Sequence, residues 1–171
     1  MAHGSCDSVG RRPYRILVGS LTLTKSKTDK AAKRFKAALR RRLKESRATE
    51  LMGFALDHVE PGRAVLRLDV RPRHKQLHGV VHGGILAAMA DTAAAIAAYT
   101  VLPKGTTLAT VELSINYLEP VPEGRVKAEA RVLRVGRNFV IAECEIRIQN
   151  GSLAAKELLT FGAAIGHSLG K

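Results

Sequence analysis

From Arg63 to Val70 the chain reads RAVLRLDV, apolar residues alternating with charged ones, the period-two pattern of a strand buried on one face. Phe54 to Glu60 has a similar character, and the Pro61–Gly62 pair between the two runs predicts a tight turn. Four more strand candidates follow. Thr107 to Leu118 sets Val111, Leu113, Ile115 and Tyr117 against Thr110, Glu112, Ser114 and Asn116; Arg125 to Val135, Phe139 to Gln149 and Leu153 to Ile165 come next, parted by the glycine-bearing turns VGRN and QNGS. Such spacing predicts an antiparallel meander. Gly84 to Thr100 breaks the rhythm: it is rich in alanine and predicts one long helix among strands. Its small girth would let a curved sheet approach closely. The expected fold class is therefore α+β, an antiparallel sheet of five to six strands wrapped around a central alanine-rich helix.

Before residue 51 the pattern is different. The first 25 residues hold no sustained period, whereas SKTDKAAKRFKAALRRRLKES, from Ser26, predicts a helix with Ala32, Phe35, Leu39 and Leu43 on one stripe. Its other faces are lysine and arginine. Residues 1–50 carry 14 basic against 4 acidic side chains and residues 51–171 carry 14 against 11, so the net charge of +13 is concentrated in the N-terminal third. A basic N-terminal extension (1–50) ahead of one folded domain (51–171) is the expected organisation. The charged faces read as a solvated helix laid on the domain by its narrow stripe, with attraction to nucleic acid or an anionic surface as the alternative.

Apolar content of 46% suffices for one core, and the longest apolar stretch is broken by a charge, so no membrane span is expected. The N-terminal residues lack a signal-peptide pattern, which points to a cytoplasmic protein. Cys6 and Cys144 form neither a disulfide framework nor a metal-ligand spacing, and no metal, nucleotide-loop or flavin motif appears.

One residue does not fit the alanine-rich run. Asp91 stands in its middle, and a carboxylate buried without a partner is costly. It could face solvent on a polar strip, bond to Thr92 or Thr110, or do chemistry.

The spacing Gln76-x5-His82-Gly83-Gly84-x6-Asp91 resembles the signature of hotdog-fold acyl-CoA thioesterases, in particular the PaaI-like, phenylacetate-pathway type within the 4-hydroxybenzoyl-CoA thioesterase superfamily. The resemblance continues through Ser114-Ile115-Asn116-Tyr117 and the VGRN turn, and covers roughly residues 50 to 165. It implies a hotdog fold and the hydrolysis of aryl or medium-chain acyl-CoA to the acid and free CoA, with no cofactor beyond the CoA of the substrate. It also implies a homodimer with two active sites at the subunit interface, assembled as a dimer of dimers. Gly83 would give its N–H to the thioester oxygen, and Asp91 would act as nucleophile or general base. Gln76 would orient water or the leaving sulfur; the group more often carries asparagine there. Thr110 would place a hydroxyl near the attacking water, His82 would orient the loop, and Gly84, Arg134, Gly136, Arg137 and Asn138 would contact substrate or CoA. His74 and His78 read as loop residues.

Helix geometry supplies a separate reason to expect shared sites, because eight residues separate Gly83 from Asp91, about 12 Å at a rise of about 1.5 Å per residue. Two antiparallel helices about a two-fold axis would bring Gly83 of one chain opposite Asp91 of the other. The other class of function compatible with this pattern is a non-catalytic acyl-CoA-binding regulator whose basic arm contacts DNA.

Overall fold

The computed structural model describes residues 37–41, 43 and 45–165. The described part of the basic extension is helical as far as residue 45, with Arg41 paired to Glu45 at 3.3 Å. Leu39 is buried in the main core and Leu43 packs against it, so these two stripe positions dock the helix. Ala32, Phe35 and Cys6 lie outside the described residues. The helix was expected to run through Ser46. Instead Ser46 is extended, and a separate short helix α1 (Arg47–Met52) starts after it and ends at Gly53, whose φ of 74° is the left-handed conformation glycine adopts without strain.

The remaining elements are β1 (Ala55–Glu60), β2 (Arg63–Asp69), a single 3-10 turn (Pro72–His74), α2 (Gly83–Tyr99), β3 (Thr106–Tyr117), β4 (Arg125–Val135), β5 (Phe139–Ile148) and β6 (Leu153–Ile165). Every expected strand is present, within about one residue at each end. All pairings are antiparallel, in the order β1-β2-β4-β5-β6-β3. A simple meander was expected, and this order corrects it: β3 follows α2 in sequence yet lies at the far edge, against β6. The crossing helix explains the displacement, because α2 spans the inner face of the sheet and delivers the chain to the opposite side.

The helix packs by its alanines. Met89, Ala90, Ala93, Ala94 and Ala97 are fully buried in one cluster with Leu66 and Leu68 of β2, Ala128 and Ala130 of β4, Ala142 of β5 and Leu159 of β6. Small side chains on both surfaces permit the close approach that a curled sheet needs. The result is the hotdog architecture: a six-stranded antiparallel sheet around one long helix.

The β3 strand departs from its sequence pattern at one point. Thr110 pairs with Phe161 and Glu112 with Thr160, so Val111 is an extra residue in a β-bulge. Strict alternation would group Thr110 with Glu112 and Ser114 on the outer face. The bulge shifts the phase instead, placing Thr110 on the inner face with Leu113, Ile115 and Tyr117.

Candidate active site

The start of α2 forms the first half of the site. His82 is the N-cap, and its Nδ1 accepts the Gly84 N–H at 3.0 Å. An accepting Nδ1 carries no proton, so the imidazole proton sits on Nε2 and the ring orients the turn rather than taking a proton at Nδ1. The same bond occupies the N–H of Gly84, a residue expected to contact substrate or CoA. The neighbouring Gly83 N–H has no acceptor among the described residues. Free N–H groups at a helix start, aided by the helix dipole, favour negative charge.

Several residues hold this turn in place. His74 is buried, not a bystander loop residue: its carbonyl accepts the His82 N–H at 2.8 Å and its Nδ1 accepts the Arg71 N–H at 3.0 Å. Burial, then the charges of Arg73 and Arg71, hold its imidazole below the usual range. Gln76 closes a small turn, with its Oε1 accepting the His78 N–H at 3.1 Å. Lys75, Gln76, Leu77, His82 and Gly83 line an open cleft of roughly 670 Å3. Tyr117 of β3 lies over Gly83 so closely that a Cβ there would meet its Cζ at 2.8 Å. Gly83 thus serves close approach as well as the turn.

Asp91, two turns further along α2, forms the second half. Its Oδ1 accepts a hydrogen bond from the Thr110 hydroxyl at 2.7 Å, one of the arrangements open from sequence. Thr92 is not a partner, since its hydroxyl donates to the Ala88 carbonyl. The bulge in β3 makes the Asp91–Thr110 contact possible by turning Thr110 inward. Arg134, Gly136, Arg137 and Asn138 lie exposed at the β4–β5 tip, near the same end of the sheet: Phe139 pairs with Gly162, which pairs on its other side with Ala109 beside Thr110. Within one chain the site residues therefore fall into two groups. One comprises Gln76, His82 and Gly83; the other comprises Asp91, Thr110 and the arginine tip.

Three residues of this region were not singled out from sequence. Lys75 lines the cleft and Tyr117 lies against Gly83 at its edge, and only the fold brings them there. Glu157 of β6 is buried on the inner face, and the signal for it was present: it shares the alternation phase of Ala155, Leu159 and Phe161.

Comparison with known proteins agrees with the geometry. The sequence profile of the thioesterase superfamily matches residues 78–155. Over 97 residues the chain is 30% identical to the 1,4-dihydroxy-2-naphthoyl-CoA hydrolase of Listeria monocytogenes, covering 57% of this chain and 79% of that one. The chain belongs to the thioesterase superfamily. A Haemophilus influenzae thioesterase superimposes with a TM-score of 0.71 at 26% identity, covering 76% of this chain and 91% of that one. A variant of the phenylacetic acid degradation protein PaaI from Thermus thermophilus gives a TM-score of 0.61 at 33% identity, over 66% and 95% of the two chains. Names of several other matched relatives go no further than esterase. Thioester hydrolysis is the chemistry of this superfamily, and it needs an oxyanion donor and an activated nucleophile. An N–H open at a helix start and a hydrogen-bonded carboxylate are groups of the kinds those two roles call for. No helix among the described residues is long and apolar enough to cross a membrane.

Proposed function

We propose that the protein hydrolyses acyl-CoA thioesters, with aryl or medium-chain acyl groups, to the free acid and CoA. The observation that carries this reading is the Asp91–Thr110 pair placed along the same helix as an unoccupied Gly83 N–H. In this reading the Gly83 N–H, at the positive end of the α2 dipole, stabilises the oxyanion that forms as the thioester carbonyl is attacked. Asp91 either takes a proton from water or attacks the carbonyl itself, and the Thr110 hydroxyl holds its carboxylate in place. Gln76 orients water or the leaving sulfur from the edge of the cleft. Arg134 and Arg137 meet the CoA phosphates, for which a guanidinium fork is suited. The relative named as a naphthoyl-CoA hydrolase supports an aryl acyl-CoA as the substrate class.

Each site is shared between two copies of the chain, in a homodimer that pairs further into a tetramer. About 12 Å of helix separates Gly83 from Asp91, too far for one thioester carbonyl to touch both. β3 supports the pairing: it is a twelve-residue edge strand with Val111 60% exposed and Leu118 just beyond it 55% exposed. Long apolar edges left open invite another strand. A cytoplasmic location and the absence of a further cofactor belong to the same reading.

The test is CoA release, followed with a thiol reagent across a panel of aryl and straight-chain acyl-CoAs, for the native protein and Asp91→Asn. We expect turnover to fall by roughly a hundredfold or more in the variant while fold and assembly persist. No turnover in either protein, with acyl-CoA still bound, would overturn the enzyme reading in favour of an acyl-CoA-responsive regulator acting through the basic arm.

A further inference from the structure

Glu157 occupies a position built for an apolar side chain. It is 1% exposed, and neither of its carboxylate oxygens has a hydrogen-bond partner among the described residues. Across the ladder it faces Cys144 on β5 and Ile115 on β3, and along β6 it lies between Ala155 and Leu159 on the inner face. The titratable groups that interact with it come from each element packed around it: Asp91 of α2, Tyr117 of β3 and Cys144 of β5. Each is neutral or acidic, and no cation among the described residues offsets a charge on Glu157.

We propose that Glu157 is an alkaline switch of the thioesterase site: it sits beneath α2 as the neutral acid, and its ionisation there shuts the reaction down as pH rises. An unpaired carboxyl in an apolar setting keeps its proton, because the ion cannot recover its lost hydration. Burial, then the charge of Asp91, push the Glu157 carboxyl up to about 8. The same two influences work in reverse. Once Glu157 ionises, a second negative charge lies under the helix where an oxyanion must build, and it opposes that build-up through a poorly screened interior.

This inference rests on the reading of Asp91 as the reacting acid. The first experiment is the pH profile of kcat/KM for acyl-CoA hydrolysis in the native protein, Glu157→Gln and Glu157→Leu, with Cys144→Ser and Tyr117→Phe as controls for the other facing groups. The native enzyme should lose activity with an apparent pKa near 8. Glu157→Gln should stay within about threefold of native at pH 7 and lose the alkaline fall, and both controls should keep it. Should the amide variant fail to fold, the leucine variant, apolar and of similar size, carries the same expectation. An unchanged alkaline limb in a folded Glu157 variant would overturn the role. The second measurement needs no turnover: the infrared carboxylic-acid C=O band, as the difference between native protein and Glu157→Gln, followed with pH. Its loss should centre near pH 8 and move to lower pH in Asp91→Asn. A midpoint that ignores Asp91→Asn would overturn the pair. If no acyl-CoA is hydrolysed while the midpoint still moves, the pair stands and the substrate reading falls.

Discussion

At Gly83 two demands meet on one residue. In the proposed mechanism the backbone N–H faces a developing oxyanion, and the α-carbon must tolerate the Tyr117 ring, since an added Cβ would lie 2.8 Å from its Cζ. Gly83→Ala should therefore push the ring or the turn aside and lower kcat/KM by roughly ten- to a hundredfold, since loss of one oxyanion donor costs about a hundred- to a thousandfold. Steady-state kinetics check this, with circular dichroism confirming that the fold persists. The double variant Gly83→Ala/Tyr117→Ala decides the cause. If it recovers activity, the clash was at fault; if it does not, the donor's position was. Neighbouring His82 illustrates how little separates a functional N–H from a structural one, because its Nδ1 captures the Gly84 donor and leaves that of Gly83 open.

At the scale of elements, the alanines of α2 set how closely the sheet can approach. Ala93 is fully buried among sheet side chains. Ala93→Leu should destabilise the fold by about 1–3 kcal/mol, because added methylenes in a packed core force its neighbours off their rotamers. Thermal unfolding should register roughly 2–4 °C per kcal/mol for a chain of this size. An unchanged Tm would mean that the helix and sheet are less tightly packed than their burial indicates. The strands themselves were legible from period-two patterning, and the helix from the alanine run, since both are local properties of the chain. The edge position of β3 was not, because strand order depends on where α2 delivers the chain. Nor was the bulge at Val111 legible, since alternation across Thr110 to Asn116 looks unbroken; only pairing with β6 shows that two residues oppose one. Glu157 was legible in part: it shares the alternation phase of Ala155, Leu159 and Phe161, but which phase of β6 faces inward is known only once the sheet closes on α2.

For the whole molecule the decisive feature is that one chain holds the proposed site residues in two separated groups. If each working site takes Gly83 from one protomer and Asp91 from the other, two inactive variants should complement one another. In a heterodimer of Gly83→Ala with Asp91→Asn, one site combines both defects while the other combines an intact Gly83 with an intact Asp91. Random mixing makes half of the dimers mixed, with one working site of two, so activity should recover to about a quarter of native. Co-expression with two distinct tags, followed by purification through both, removes assemblies of a single kind and should raise the recovery to about half for a dimer, and to somewhat under a third where two dimers pair at random into a tetramer. Sites confined within single protomers predict the opposite, since every protomer would then carry one defect and no mixture would exceed its parents. Val111→Arg on the open edge of β3 supplies the complementary arm: a charge at that edge should oppose strand pairing between copies. A monomeric Val111→Arg protein with full activity would show that Gly83 and Asp91 work within one chain after all.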